Sequence, residues 1–312
     1  MRRLAGLLLA PVLVMGLVSG CGGGSSAATQ GLPKVSGAYG DKPKIKVTKG
    51  EKPAATLRTT VLRKGTGPKV AKGDLLVADY LGSIYKSGKV FDNSYDRKSP
   101  AAFPIGVGKV VPGWDKALVG VQAGSRVLMV LPPKEGYGKK GNPQAGIKGT
   151  DSLVFVVDVI ASYGKRSSLP APTAATGLPV DEPKVTGTWG AEPSISVPKG
   201  TTPPKKPVVT VLATGAGKPI AKGNLLIVQY KAVSWAGKAL SQTWGQSGAQ
   251  GVPVGAADGQ ANPFDLLLGK PVGSRVLLAL PAQSGANAAK DSVAVVIDVL
   301  GQNGTAKQEK SS

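Results

Sequence analysis

Residues 90–114 read V-F-D-N-S-Y-D-R-K-S-P-A-A-F-P-I-G-V-G-K-V-V-P-G-W. In this apolar-aromatic run Asp92, directly after Phe91, is the carboxylate placed for chemistry, and no nucleophile–base pair accompanies it. The chain has no histidine and a single cysteine, Cys21. Histidine-dependent triads, histidine metal sites and thiolate zinc sites are therefore excluded, and neither metal nor cofactor is expected. Gly106-Val107-Gly108 is not a phosphate loop, because no strand–loop–helix unit with Gly-Lys-Ser/Thr follows it. The chemistry left is that of a shaped apolar cavity with one carboxylate at its edge.

The run resembles the signature of FKBP-type peptidyl-prolyl isomerases. The match continues in register through Tyr80 in D-Y-L-G, G-Y-G at Gly136–Gly138, N-P at Asn142–Pro143 and L-V-F at Leu153–Phe155. The resemblance implies rotation about X–Pro bonds, whose amide barrier is about 18–20 kcal/mol. No bond to carbon breaks in that reaction. What accelerates it is a site that binds the twisted imide better than the planar one. By resemblance Trp114 forms the floor, Tyr80, Phe91, Phe103 and Phe155 the walls, and Val110 and Val111 the rim, with Ile147 as a further substrate contact. Asp92 lies at the edge, and Tyr137 donates its hydroxyl to a substrate carbonyl. The chain is only 5% aromatic, so aromatics at matching positions on segments far apart argue for a pocket over an ordinary core. Two positions depart from the family pattern: Ala101 replaces a phenylalanine and Asn142 a histidine. The first opens one wall, and the second alters the loop over the site.

The elements that must position these residues occur twice. Pro33–Gly40 returns as Pro183–Gly190, Ala71–Leu76 as Ala221–Leu226, and Gly124–Leu128 as Gly273–Leu277. The offset is 150 up to Tyr80/Tyr230, 149 to Leu131/Leu280 and 140 from Asp151/Asp291. In the first copy β-rich runs bounded by Gly, Pro and Asp predict strands at 58–62, 75–81, 126–131 and 153–160, and 114–119 predicts one short helix. Residues 45–47 and 195–197 alternate like short edge strands. Strands around a single helix give an α+β class. The resemblance sharpens this to two tandem FKBP-like domains, each a twisted antiparallel sheet wrapped around one short helix.

The second copy keeps the framework and loses the site. Leu240, Ser241, Val252, Gly259, Gln260 and Val295 stand for Phe91, Asp92, Phe103, Val110, Val111 and Phe155. Trp114 falls opposite Pro263 without a gap, or Phe264 with one. Tyr137 has no counterpart, because its loop falls within nine missing residues, whereas Tyr230 survives at the Tyr80 position.

Met1-Arg2-Arg3, the apolar run 4–18 and Val18-Ser19-Gly20-Cys21 read as a bacterial lipoprotein signal, 1–20, with Cys21 as the lipidated residue. A diacylglyceryl group there supplies two acyl chains, enough for stable anchoring. A tether at 21–32, a catalytic domain at 33–163, a linker at 164–179, a non-catalytic domain at 180–301 and a polar tail at 302–312 complete the expected organisation. The formal charge is +21. Lysines are scattered and no nucleic-acid motif is present, so the expected partners are proline-containing exported polypeptides, the membrane through Cys21, and anionic cell-wall polymers or lipids, with no nucleic acid. The expected location is the extracytoplasmic face of the cell membrane. A scaffold lipoprotein holding peptide or wall material without catalysis is the competing reading; a transporter's solute-binding protein would need larger α/β lobes.

Overall fold

A computed structural model describes residues 31–164, 183–245, 248–255, 262–282 and 291–305. The leader, Cys21 and nearly all of the expected linker lie outside these residues.

In the first repeat β1 (Lys34–Ser36) and β2 (Lys44–Lys46) form an antiparallel pair. β3 (Arg58–Arg63), β4 (Leu75–Ile84), β5 (Val90–Asn93), β6 (Ala101–Pro104), β7 (Arg126–Leu131) and β8 (Leu153–Tyr163) form a six-stranded sheet in the order β3-β7-β8-β4-β5, with β6 also on β4. β5 and β6 share one edge, pairing with opposite ends of β4. The expected strands are all present. β4 and β8 each run three residues further than the periodicity suggests: Gly82 lies within β4 without interrupting it, and residues 161–163 of β8 continue the pairing along Leu75–Val77.

Among the described residues the one α-helix, α1 (Pro112–Leu118), begins two residues before the expected Trp114 because Pro112 presets the helical φ at its first position. Gly120, at φ +87, turns the chain away after it. Trp114 and Leu118 are one turn apart, so both face the sheet and are buried in one core with Leu76, Ala78, Tyr80, Val127, Met129 and Val157.

The other sheet face is covered by the β1–β2 hairpin, whose Val35 and Ile45 pack on Leu128, Val130, Val154 and Val156. Arg126 fixes that cover. It is bonded to both Asp158 oxygens, at 2.6 and 2.7 Å, and donates to the Gly37 and Asp41 carbonyls of the hairpin at 2.6 and 2.7 Å. A hairpin this short is marginal alone. It belongs to the domain because a buried guanidinium holds it there.

The second repeat has the same plan: β9 (Lys184–Thr186) with β10 (Ser194–Ser196), then β11 (Val208–Ala213), β12 (Leu225–Ser234), β13 (Ala239–Gln242), β14 (Gln250–Pro253), β15 (Arg275–Leu280) and β16 (Val293–Asn303). The order is β11-β15-β16-β12-β13, with β14 on β12. Arg275 repeats the arrangement of Arg126, bonding Asp298 and the Gly187 and Ala191 carbonyls. β16 extends to Asn303, past the expected boundary at Gly301.

One expectation is corrected. The second sheet does not wrap an α-helix: the described residues show a 3-10 turn at Pro263–Leu267 instead. Asp115 accepts from the Gly106 N–H and Asp265 from the Gly255 N–H, so the two aspartates are equivalent. Leu118 and Leu267, both fully buried, are also equivalent. The second copy has one residue fewer between these anchors, and the chain tightens from i→i+4 to i→i+3 bonding. The same anchors settle the Trp114 position. Phe264 is its counterpart, and its ring lies 6.1 Å from Tyr230.

The sheets also touch each other. Leu75 and Val77 of β4, on the face opposite Leu76 and Ala78, pack with Ile160 and Ala161 against Leu225, Ile227 and Leu300. Tyr163 donates its hydroxyl to Asn303. A methyl at Gly251 would stand 2.7 Å from the Ala102 methyl, so glycine is what allows the backbone to approach there.

Candidate functional site

β4, β5, β6, α1 and β8 each deliver one aromatic residue to the same end of the first sheet. Trp114 is buried at the centre, with ring centroids 5.1 Å from Phe103, 5.3 Å from Phe155 and 5.6 Å from Tyr80. Phe91 meets Phe155 edge to face at 5.6 Å. All these pairs are T-shaped, the geometry the ring quadrupoles favour, and interlocking rings hold one another's rotamers. Above them opens a cavity of about 440 Å³, lined by these five rings with Asp92, Lys109, Val110, Val111, Pro112, Gly136 and Tyr137.

Every expected pocket residue but one borders this cavity. Ile147 does not: it is buried in the core beneath, where its backbone pairs with Asn142 and holds the 136–149 loop in place. Asn142, at the family's histidine position, accepts from the Ala145 N–H and so folds that loop locally. Tyr137 stands at the mouth, 37% exposed.

Asp92 is anchored from two sides. Tyr80 donates its hydroxyl to one oxygen, and Arg97 donates to the other at 2.7 Å and to the Tyr80 hydroxyl oxygen at 2.9 Å. Burial pushes the Tyr80 phenol up to about 12, reinforced by its bond to Asp92. Burial alone would also raise Asp92, but the bonds from Tyr80 and Arg97 outweigh it and hold the carboxyl below its usual range. Asp92 is thus a charged, oriented group and no general base near neutral pH.

Sequence reasoning missed Arg97, Lys109, Pro112, Gly136 and Gly82. A charge-complementary residue five after Asp92 was the available signal for Arg97. Gly82 was hidden because its role is spatial: a methyl there would lie 2.6 Å from Phe91 and 2.7 Å from Phe155. The second repeat carries Ala232 at this position, opposite Val295 and next to Ser241. With Leu240 and Val295 replacing the two phenylalanines, the space those rings needed is available to a methyl.

Comparison with known proteins agrees with this arrangement. The family profile of FKBP-type peptidyl-prolyl cis-trans isomerases matches residues 67–160. An FK506-binding protein of Streptomyces anulatus is 32% identical over 121 residues, 39% of this chain and 97% of that one. The peptidyl-prolyl cis-trans isomerase FPR2 of Saccharomyces cerevisiae is 40% identical over 92 residues, 30% of this chain and 67% of that one. Among solved structures, FkpA from Escherichia coli is similar at 36% identity and a TM-score of 0.33, covering 38% of this chain and 53% of FkpA. The chain belongs to the FKBP-type peptidyl-prolyl cis-trans isomerases. Its substrates are accordingly proline-containing polypeptides.

Proposed function

We propose that the first repeat carries the isomerase activity and that the second folds without catalysing, in a lipoprotein anchored through Cys21 at the extracytoplasmic face, where it assists folding of exported proteins. The observation that carries the division of labour is the paired contrast between the two sites. Five interlocked rings and the Tyr80–Asp92–Arg97 triad surround a cavity in one repeat. In the other, Tyr230 and Phe264 remain without the phenylalanine walls, and Ser241 bonds Tyr230 where Asp92 would.

The mechanism follows from the lining. A proline ring seated on Trp114 is enclosed by the other four rings, while backbone N–H groups at the Val110–Val111 rim and the Tyr137 hydroxyl hold the chain on either side. As the imide twists, its resonance and charge separation diminish, so it loses less than the planar amide on leaving water. An apolar cavity therefore favours the transition state, which is the condition for raising kcat. A pocket with smaller walls and no hydroxyl donor binds both forms alike and accelerates nothing.

The degenerate second pocket favours a binding or positioning role for that repeat. The test is made on the full chain with X–Pro peptides, comparing Phe155→Ala with Tyr230→Ala. Loss confined to the first variant supports the assignment; loss confined to the second overturns it. Lipidation is tested separately with Cys21→Ala, for which unchanged size and membrane association would refute the anchor.

A further inference from the structure

The carboxylates nearest the first pocket all have partners. Asp92 is bonded by Tyr80 and Arg97, Asp115 accepts from the Gly106 and Gly108 N–H groups, and Glu135 accepts from Lys116 at 2.8 Å. Among the described residues only two charged side chains line the cavity, Asp92 and Lys109. Arg97 compensates the first. Lys109 is exposed on the rim between Gly108 and Val110, and among the described residues it makes no hydrogen bond or ion pair. The entrance therefore carries one uncompensated positive charge. The surrounding repeat adds to that potential, with 22 basic and 10 acidic residues over 33–163, a balance of +12.

We propose that this pocket selects prolines flanked by acidic side chains, and that Lys109 is the residue that reads the charge. The inference rests on the assignment of catalysis to the first repeat. An extended substrate advances about 3.3–3.6 Å per residue, so the residues directly before and after a seated proline pass within the reach of a lysine on the rim. A glutamate there gains an ion pair and a lysine meets like charge, while the apolar floor treats all prolines alike. The second repeat has Asp258 at the corresponding offset, outside the described residues; the charge at this position is thus reversed in the copy whose walls are lost.

The test uses the full chain and tetrapeptides of the form Ala-X-Pro-Phe, with X as Glu, Gln or Lys, and a second set carrying the same residues after proline. Each catalysed rate is taken above the uncatalysed rate of the same peptide. In low salt the Glu/Gln ratio of kcat/KM should be about two- to five-fold in at least one set, the size of an exposed ion pair, with Lys/Gln below one. Lys109→Gln should bring the ratio to one and Lys109→Asp should invert it, and roughly 0.5 M salt should flatten the wild-type preference by screening. Reading a ratio within each variant cancels any general loss of activity. A flat wild-type series with normal Gln turnover, or a ratio unaltered by Lys109→Asp, overturns the charge selection alone. If no peptide is turned over above background, the isomerase assignment of the first repeat fails and this inference falls with it.

Discussion

Tyr163, the last residue of β8, donates its hydroxyl to the Asn303 side-chain oxygen at the end of β16, 2.8 Å away. One hydrogen bond therefore joins the final strands of the two sheets, beside an apolar patch that includes the fully buried Val77 and Ile227. Tyr163→Phe should cost about 1 kcal/mol, the net worth of a typical bond. Val77→Asp buries an unpaired charge in that patch and should split thermal unfolding into two calorimetric transitions. A single undisplaced transition would show that the repeats do not stabilise each other.

Gly82 lies under two phenylalanine rings, so Gly82→Ala should push Phe91 and Phe155 apart and lower kcat/KM about ten-fold, or roughly 1.4 kcal/mol of transition-state stabilisation. The methyl should cost less stability in a Phe155→Val background, the residue found opposite Ala232. Equal costs in both backgrounds, measured as a double-mutant cycle, would show that these positions are not coupled.

Phe155→Ala removes one wall while leaving the floor. The expected fall in kcat/KM is one to two orders of magnitude, about 1.4–2.8 kcal/mol. Trp114→Phe should be milder, because the buried indole N–H makes no hydrogen bond among the described residues and the second repeat already packs a phenylalanine there. Asp92→Ala should fall between them, since no proton is transferred. Full activity in a folded Phe155→Ala variant would contradict the pocket assignment.

The rate should be flat between about pH 6 and 8, where histidine would titrate and none is present. Asp92 has a lowered pKa in the folded protein. Its stabilising contribution is therefore complete above the ordinary carboxylate value of 3.8, and is lost as pH falls through the depressed one. Tyr80, at about 12, stays protonated across the neutral range. A bell-shaped profile centred near neutrality would require a proton-transfer group that this pocket does not contain.

Arg126 and Asp158 are almost wholly buried, so removing one strands the other. Arg126→Ala should cost about 3–5 kcal/mol, and should expose the 34–46 hairpin to hydrogen exchange before the central strands. Uniform exchange across the repeat would show that the guanidinium does not pin the hairpin.

Strand positions and the aromatic set were legible in the sequence because both rest on local pattern: apolar runs between turn residues, and rings at family positions. The repeated G-S-R-V-L segment was legible as a repeat but not as a clasp, since the partners of Arg126 lie 32 residues ahead at Asp158 and 89 behind at Gly37. Gly82 was silent for the same reason, its contacts being made on β5 and β8. The missing helix of the second repeat turned on a one-residue difference between Asp265 and Leu267. Such a difference alters hydrogen-bond periodicity without altering apolar pattern, and Ile147 shows the complementary error, a family position that supports the site from below.

The patch between the sheets is built from matching residues: Leu75 and Leu225, Val77 and Ile227, Ile160 and Leu300 occupy equivalent places in the two copies. A contact of a surface with its own counterpart is isologous, and it closes on itself after two copies. No edge remains through which a third could be added, so this surface does not lead to filaments. Because one chain supplies both halves, docking is unimolecular and dilution does not reverse it.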